Sequence, residues 1–104
     1  MWGARRRAAE AVVVGVITWE LHLAACRSLK DKRHVLKSLK DRLHNRFNVS
    51  AAETAHHDLW QRAELTVCVV SNERGHAASV LREADRLVEG ADGARIVDTS
   101  TSFF

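Results

Sequence analysis

Hydrophobic residues recur every three or four positions between residues 28 and 45, a spacing typical of an amphipathic α-helix. The apolar positions on this face are Leu29, Leu36, Leu39, Leu43 and Phe47. Ser28 stands at the expected N-cap, and Asp31 three residues later completes a weak capping box. We therefore predict a helix over residues 28–45.

A second helix is predicted over residues 73–89, with Asn72 as a candidate N-cap and Gly90 as the residue that ends it. Its apolar positions are Ala77, Val80, Leu81, Ala84, Leu87 and Val88. This pattern indicates one buried side and one solvated side.

Four other segments show the β-branched or alternating pattern of strands, at residues 12–23, 47–55, 60–71 and 94–101. Alternation assigns one set of side chains to the face expected to be buried. These are Gly15, Ile17, Trp19, Leu21, Leu23, Val49, Ala51, Ala63, Leu65, Val67 and Val69.

The resulting order, β-α-β-β-α-β, predicts an α+β protein with a ferredoxin-like fold. That fold is a four-stranded antiparallel sheet with both helices on one face. We assign residues 11–104 to a single domain. Residues 1–10 are expected to form a flexible N-terminal extension, with Arg5, Arg6 and Arg7 as a minor candidate anion contact.

Positive charge is concentrated in the first predicted helix. Between Arg27 and Arg46 there are eight Lys or Arg residues and two acidic residues, a net charge of +6, whereas the whole chain carries +3. At about 100° per residue, five cationic or titratable side chains fall on one stripe beside the apolar face: Lys30, Arg33, Lys37, Lys40 and His44. This stripe is either a solvated helix face or a surface that binds anions.

Two short segments around residue 60 carry candidate chemistry. His56, His57 and Asp58 are a candidate for a metal site or for proton transfer, but adjacent histidines point apart on an extended chain, which favours structural turn residues. Trp60 is suited to stacking on a base and Arg62 to binding a phosphate. The favoured alternative is that Trp60 packs across the end of the sheet while Asp58 and Arg62 fix the turn.

The remaining chemistry is sparse. Cys26 and Cys68 lie far apart and outside any metal-ligand spacing, which favours free thiols in a reducing, cytoplasmic compartment. No apolar run approaches the length of a membrane span. We expect no metal and no other cofactor, and no catalytic residue is assigned.

Several segments, taken in order, resemble one family. They are E-L-H-L (20–23), R-S-L-K-D-K-R (27–33), K-S-L (37–39), R-F-N-V-S-x-A-E (46–53), D-L-W-Q-R (58–62) and V-S-N (70–72). The resemblance is to the YlxP-like family of small bacterial proteins, a domain of unknown function, and it covers roughly residues 13–98. It implies a ferredoxin-like fold and a gene setting beside translation initiation and ribosome-maturation factors. It implies no catalytic residues.

Three functional hypotheses follow. The leading one is a non-enzymatic protein that binds ribosomal RNA or ribosomal particles through Lys30, Arg33, Lys37, Lys40 and His44, with Arg62 as a further candidate. Base stacking on the open sheet face is disfavoured, because residues 65–70 lack the aromatic pattern of RNA-recognition motifs. The second hypothesis is a homodimeric interaction module that binds an acidic partner. The third is an enzyme that uses His56, His57 or Asp58. Whatever the function, we expect a homodimer through an apolar patch on the open sheet face, made of Val12, Val14, Val16, Cys68 and Val70.

Overall fold

The computed structural model describes residues 12–104, which fold as predicted into β-α-β-β-α-β order. Three strands and one helix occupy the first two-thirds of this order: β1 (Val13–His22), α1 (Leu29–Arg46), β2 (Ser50–Ala55) and β3 (Arg62–Ser71). They are followed by α2 (Arg74–Glu89) and β4 (Arg95–Phe103). The ferredoxin-like fold is therefore confirmed. The expectations for residues 1–10 lie outside the described residues.

The sheet has the strand order β2-β3-β1-β4, and every neighbouring pair is antiparallel. Residues with odd numbers in β1 and β3 point toward the helices, and residues with even numbers point to the other side, which we call the open sheet face. Two register shifts interrupt the ladders, one between Glu20 and Leu21 and one between Glu53 and Ala55.

The core lies between the sheet and the two helices, and its strand residues are those that alternation predicts. Trp19, Leu65 and Val67 have no exposed surface, and Leu36, Leu39, Leu43 and Leu81 of the helices are at most 3% exposed. Val49 and Ala51 are only partly buried against this core, because β2 is an edge strand.

The helix starts agree with the sequence in one case and differ in the other. Ser28 caps α1 by accepting a hydrogen bond from the Asp31 amide (3.0 Å), and the Asp31 carboxylate accepts one from the Arg27 amide (2.9 Å). Asn72 does not cap α2, so that expectation is wrong. Glu73 occupies the N-cap position, and its amide donates to the Ser71 hydroxyl (3.1 Å).

Two glycines lie where a side chain is restricted, one by lack of space and the other by backbone conformation. Gly15 lies where α2 crosses β1, and a methyl group in place of its hydrogen would lie 3.0 Å from Leu81 Cδ1 and 3.3 Å from side-chain carbons of Val69 and Phe103. Gly93, between α2 and β4, has a φ of 84°, which favours glycine. Gly90, which the sequence indicated as the helix-ending residue, has an ordinary φ of −86°.

Cys26 is buried and Cys68 partly buried, and both are free thiols, as expected. Burial raises the pKa of the Cys26 thiol above its ordinary value, which keeps it protonated and unreactive at neutral pH. Neither helix in residues 12–104 is long and apolar enough to cross a membrane.

Leu39→Ala tests the packing of α1. Because Leu39 is 2% exposed, we expect the substitution to lower the free energy of unfolding by about 2–5 kcal/mol, measured by urea denaturation. The matched control is Ser38→Ala on the exposed side of the same helix, with an expected change below about 0.5 kcal/mol. Equal effects of the two substitutions would contradict the packing described here.

Candidate functional site

The cationic stripe, defined as Lys30, Arg33, Lys37, Lys40 and His44, lies along the outer side of α1. Four of these side chains are exposed and Lys40 is half-buried. At 3.6 residues per turn the five positions fall within about 80° of one another around the helix axis. Asp31 lies about 100° from Lys30 and well outside this sector, whereas Asp41 lies about 20° beyond its edge and its carboxylate reaches Lys37 of the stripe.

One member of the stripe has an acidic neighbour. Lys37 Nζ donates to Asp41 Oδ2 at 2.7 Å, and this hydrogen bond lowers the pKa of the Asp41 carboxyl below its ordinary value. Both side chains are more than half exposed, so the pair is readily exchanged for other partners in water. Lys37 therefore remains available to an external anion.

Lys32 is the residue of α1 that sequence reasoning missed. It is 1% exposed, and its ammonium group lies 2.8 Å from Glu53 Oε2 in β2. Its Nζ donates to the carbonyl oxygens of His56 (2.7 Å), Arg62 (3.2 Å) and His57 (3.5 Å), so the ammonium group is hydrogen-bonded to carbonyls and lies beside one carboxylate. These partners offset the cost of removing the charge from water.

A signal for this burial was present in the sequence. Position 32 lies three residues after Leu29 and four before Leu36, in the middle of the apolar face rather than on the cationic stripe. A charged residue in that position requires a buried partner, and Glu53 is the acidic residue on the helix-facing side of β2. Pairing the two from sequence required knowing that α1 packs on β2.

Glu20 of β1 contacts the side chains of His56 and Arg62, two residues whose carbonyls bind Lys32. Its carboxylate lies 2.9 Å from His56 Nε2 and accepts a hydrogen bond from Arg62 Nη2 at 3.0 Å. The bond to His56, followed by that to Arg62, lowers the pKa of the Glu20 carboxyl below its ordinary value of 4.5. His56 has a φ of 62°, a left-handed backbone conformation that its bonded carbonyl and bonded ring hold in place.

The structure does not bring all the predicted site residues together. Arg62 extends from the start of β3 onto the open sheet face, where it pairs with Glu20, whereas the cationic stripe lies on the helix layer. His56 points to Glu20, and His57 Nε2 lies 3.2 Å from the Glu53 carbonyl oxygen. Within residues 12–104, no three His, Cys, Asp or Glu side chains are grouped to hold a metal ion.

The β2–β3 connection, residues 56–61, is fixed by several hydrogen bonds. Besides the bond from Lys32, Gln61 Nε2 donates to the carbonyl oxygens of Ala24 and Cys26, both at 3.1 Å. The Gln61 carbonyl accepts from the Leu23 amide at 2.9 Å. The connection is therefore anchored both to α1 and to the turn between β1 and α1.

Trp60 is only about half covered by the rest of the described residues, whereas the interpretation favoured from sequence packs it across the end of the sheet. Its side chain is 52% exposed, and the neighbouring Leu59 is 46% exposed. The two lie in a shallow depression lined by residues 58–62. Trp19, by contrast, is fully buried as expected, and its Nε1 donates to Asp85 Oδ1 at 2.8 Å.

A family described as a protein of unknown function (DUF503) matches residues 14–101. The chain belongs to this family. The uncharacterized protein YlxP of Bacillus subtilis (strain 168) is 30% identical over 92 residues, which is 88% of this chain and 100% of that protein. The resemblance inferred from the sequence segments is therefore confirmed, and the matched region of this DUF503 protein includes α1 and the β2–β3 connection.

Two solved structures superpose on this chain. The de novo designed protein Foldit4 superposes with a TM-score of 0.54 at 12% identity, over 89% of this chain and 96% of that one. The de novo designed protein LFR1 1 with ferredoxin fold gives a TM-score of 0.48 at 15% identity, over 88% and 82%. At such identity the likeness to Foldit4 concerns the fold alone.

Lys32→Met tests the buried ion pair. The substitution leaves Glu53 largely buried without its counter-ion and the three carbonyls without this donor, so we expect a loss of about 3–5 kcal/mol in the free energy of unfolding. Lys37→Met is the matched control, because it removes an exposed ion pair from the same helix and should cost less than about 1 kcal/mol. Both are measured by urea denaturation.

The double variant Lys32→Met, Glu53→Gln separates the charge from the packing. With no lone buried charge left, it should be more stable than Lys32→Met alone. A Lys32→Met protein as stable as Lys37→Met would contradict the role assigned to this pair.

Proposed function

We propose that this DUF503 protein is a non-enzymatic RNA-binding protein that associates with ribosomal RNA or ribosomal particles through the cationic stripe of α1. The observation that supports the proposal is the alignment of five cationic or titratable side chains on the outer side of one helix, with Asp41 paired to Lys37 at the edge of the stripe. The Lys37–Asp41 pair is exposed to water, and the lysine that is neutralised in the core is Lys32, which lies outside the stripe.

The stripe is suited to the RNA backbone. From Lys30 to His44 it extends about 21 Å along the helix axis at 1.5 Å per residue, long enough to follow several phosphates. Lys and Arg side chains that neutralise phosphates release condensed counterions, which supplies affinity without regard to base sequence. We therefore expect binding that depends strongly on salt and weakly on sequence.

The open sheet face is less suited to RNA. Among the described residues, its even-numbered positions in β1 and β3 are Val, Thr, Glu, His, Arg and Cys, without Phe or Trp. A sheet that binds RNA by stacking displays aromatic side chains at such positions. This supports α1, rather than the sheet, as the surface that meets the backbone.

The double variant Arg33→Glu, Lys37→Glu tests the stripe. If both side chains contact phosphates, the slope of log affinity against log salt should fall by about 1.4 for single-stranded RNA, because each of the two lost contacts removes about 0.7. Affinity should fall similarly for unrelated RNA sequences. The measurement is filter binding to ribosomal RNA across a salt series, with co-sedimentation of ribosomal particles.

The control with the same change in net charge is Arg82→Glu, Arg86→Glu on α2, where both arginines are exposed and Arg86 is ion-paired at 2.6 Å to Glu83. It should leave most of the affinity in place. Full affinity of the α1 variant at every salt concentration, or equal losses from both variants, would show that the stripe is not the RNA contact.

A second candidate function, a homodimeric interaction module that binds an acidic partner, is favoured by the apolar patch on the open sheet face. Val70 is 69% exposed and pairs with Val14 across the two central strands, and Cys68 pairs with Val16. Val14, Val16 and Cys68 are partly exposed. The adjacent cross-strand residues are Ser50 and Ser102, so the patch has no charge among its immediate neighbours. Two copies could bury the same patch against each other without opposing like charges.

Sedimentation equilibrium at high micromolar concentration tests the dimer. The wild-type protein should have the mass of a dimer, and Val14→Glu should be monomeric, because it places a charge in the contact. Val97→Glu is the control and should remain dimeric, because Val97 is an exposed valine (58%) at the register shift in β4, opposite Glu20 and Leu21 near the other end of β1. A monomeric wild type, with Val14→Glu unchanged and soluble, would contradict this candidate.

A further inference from the structure

The β2–β3 connection combines a fixed backbone with an unused aromatic side chain. Two hydrogen bonds hold its backbone, from Lys32 Nζ to the His56 carbonyl and from the Leu23 amide to the Gln61 carbonyl. The Gln61 side chain donates a third, to the Ala24 carbonyl. Trp60 nevertheless remains 52% exposed. A large aromatic ring in water is unfavourable by itself, and a rigid support lowers the entropy lost when such a ring meets a ligand. These are the properties of a preorganised recognition residue.

The connection adjoins the cationic stripe. Arg33 of the stripe lines a cavity of about 220 Å³ together with His57 of the connection, and the neighbouring Lys32 is bonded to the His56 carbonyl. A chain of phosphates that follows α1 toward its N-terminal end therefore reaches the connection. Trp60 shares its depression with one acidic side chain, Asp58, and one cationic side chain, Arg62. An exposed indole together with cationic side chains suits a nucleotide, which presents an anionic phosphate and a flat base.

We propose that Trp60 stacks on an unpaired base of the RNA whose phosphates contact α1, so that the ligand is single-stranded or looped RNA rather than a regular duplex. This inference rests on the proposed RNA binding and adds the class of RNA to it. Bases in an A-form duplex are stacked on one another and offer no free face, whereas unpaired bases can be placed on an aromatic side chain. Stacking is tolerant of base identity, in agreement with the expected weak sequence dependence.

The test compares a single-stranded RNA of 12 nucleotides with a duplex of the same sequence, using Trp60→Ala. Binding to the single strand should weaken about 5- to 150-fold, the equivalent of losing about 1–3 kcal/mol of stacking at a factor of ten per 1.4 kcal/mol. Duplex binding and the salt slope should change little, because no phosphate contact is removed.

Two further variants separate the ring from its surroundings. Trp60→Phe keeps an aromatic face and should retain most of the affinity for the single strand. Leu59→Ala, which removes the adjacent exposed apolar side chain, should leave binding unchanged. Thermal unfolding of all three variants should match that of the wild type, since the substituted side chains are about half exposed.

Tryptophan fluorescence gives a direct readout. In a Trp2→Phe background the remaining indoles are the buried Trp19 and the exposed Trp60, so stacking should quench the emission of Trp60 on addition of the single strand. The duplex should quench it less. If Trp60→Ala proves unstable, this measurement and Trp60→Phe decide the question.

The failures are distinguishable. Salt-dependent RNA binding that is lost in Arg33→Glu, Lys37→Glu but is unaffected by Trp60→Ala would overturn the stacking inference and leave the proposed function in place. Equal weakening of single-strand and duplex binding by Trp60→Ala would overturn it as well. Absence of RNA binding in the wild-type protein would overturn both.

Discussion

The packing of α1 on the sheet depends on the buried contacts of the Lys32 ammonium group with β2, the β2–β3 connection and β3. A lysine side chain is normally solvated, and its burial is tolerated here because Glu53 supplies the opposite charge and the carbonyls of His56, His57 and Arg62 accept hydrogen bonds from its ammonium group. These partners belong to β2, to the β2–β3 connection and to β3. One side chain therefore couples the position of α1 to the hairpin beneath it.

That coupling explains why a single helix can serve the core and the surface at once. The apolar face of α1, with Lys32 in its middle, fixes the helix on the sheet, and the cationic stripe is thereby held at a constant orientation beside the β2–β3 connection. Glu20 secures the far side of the same connection through His56 and Arg62. At this end of the molecule, Lys32, Glu53 and Glu20 stabilise the packing, whereas the cationic stripe is exposed to solvent.

The fold and most of the core could be predicted from the sequence, because alternation in β1 and β3 and the three-to-four spacing in the helices are local patterns that burial enforces. The Lys32 pairing and the exposure of Trp60 could not, since both depend on contacts between segments more than 20 residues apart along the chain. Asn72 is not the N-cap for a local reason. The N-cap position falls one residue later, at Glu73, and the Ser71 hydroxyl accepts a hydrogen bond from the Glu73 amide. The position of the stripe on α1 was predictable, because its residues follow the helical period.

The crossing of α2 over β1 at Gly15 has a consequence for how this sequence can diverge. The absence of a side chain at that position lets Leu81 approach the strand closely, and Phe103 of β4 fills the remaining space from the side. A methyl group at position 15 requires Leu81, Val69 and Phe103 to shift by a few tenths of an ångström, and a larger side chain requires more, so enlargement at position 15 should be favoured by a smaller residue at position 81, 66 residues away. Divergence at this crossing is therefore coupled, even though the backbone conformation of Gly15 would admit other residues.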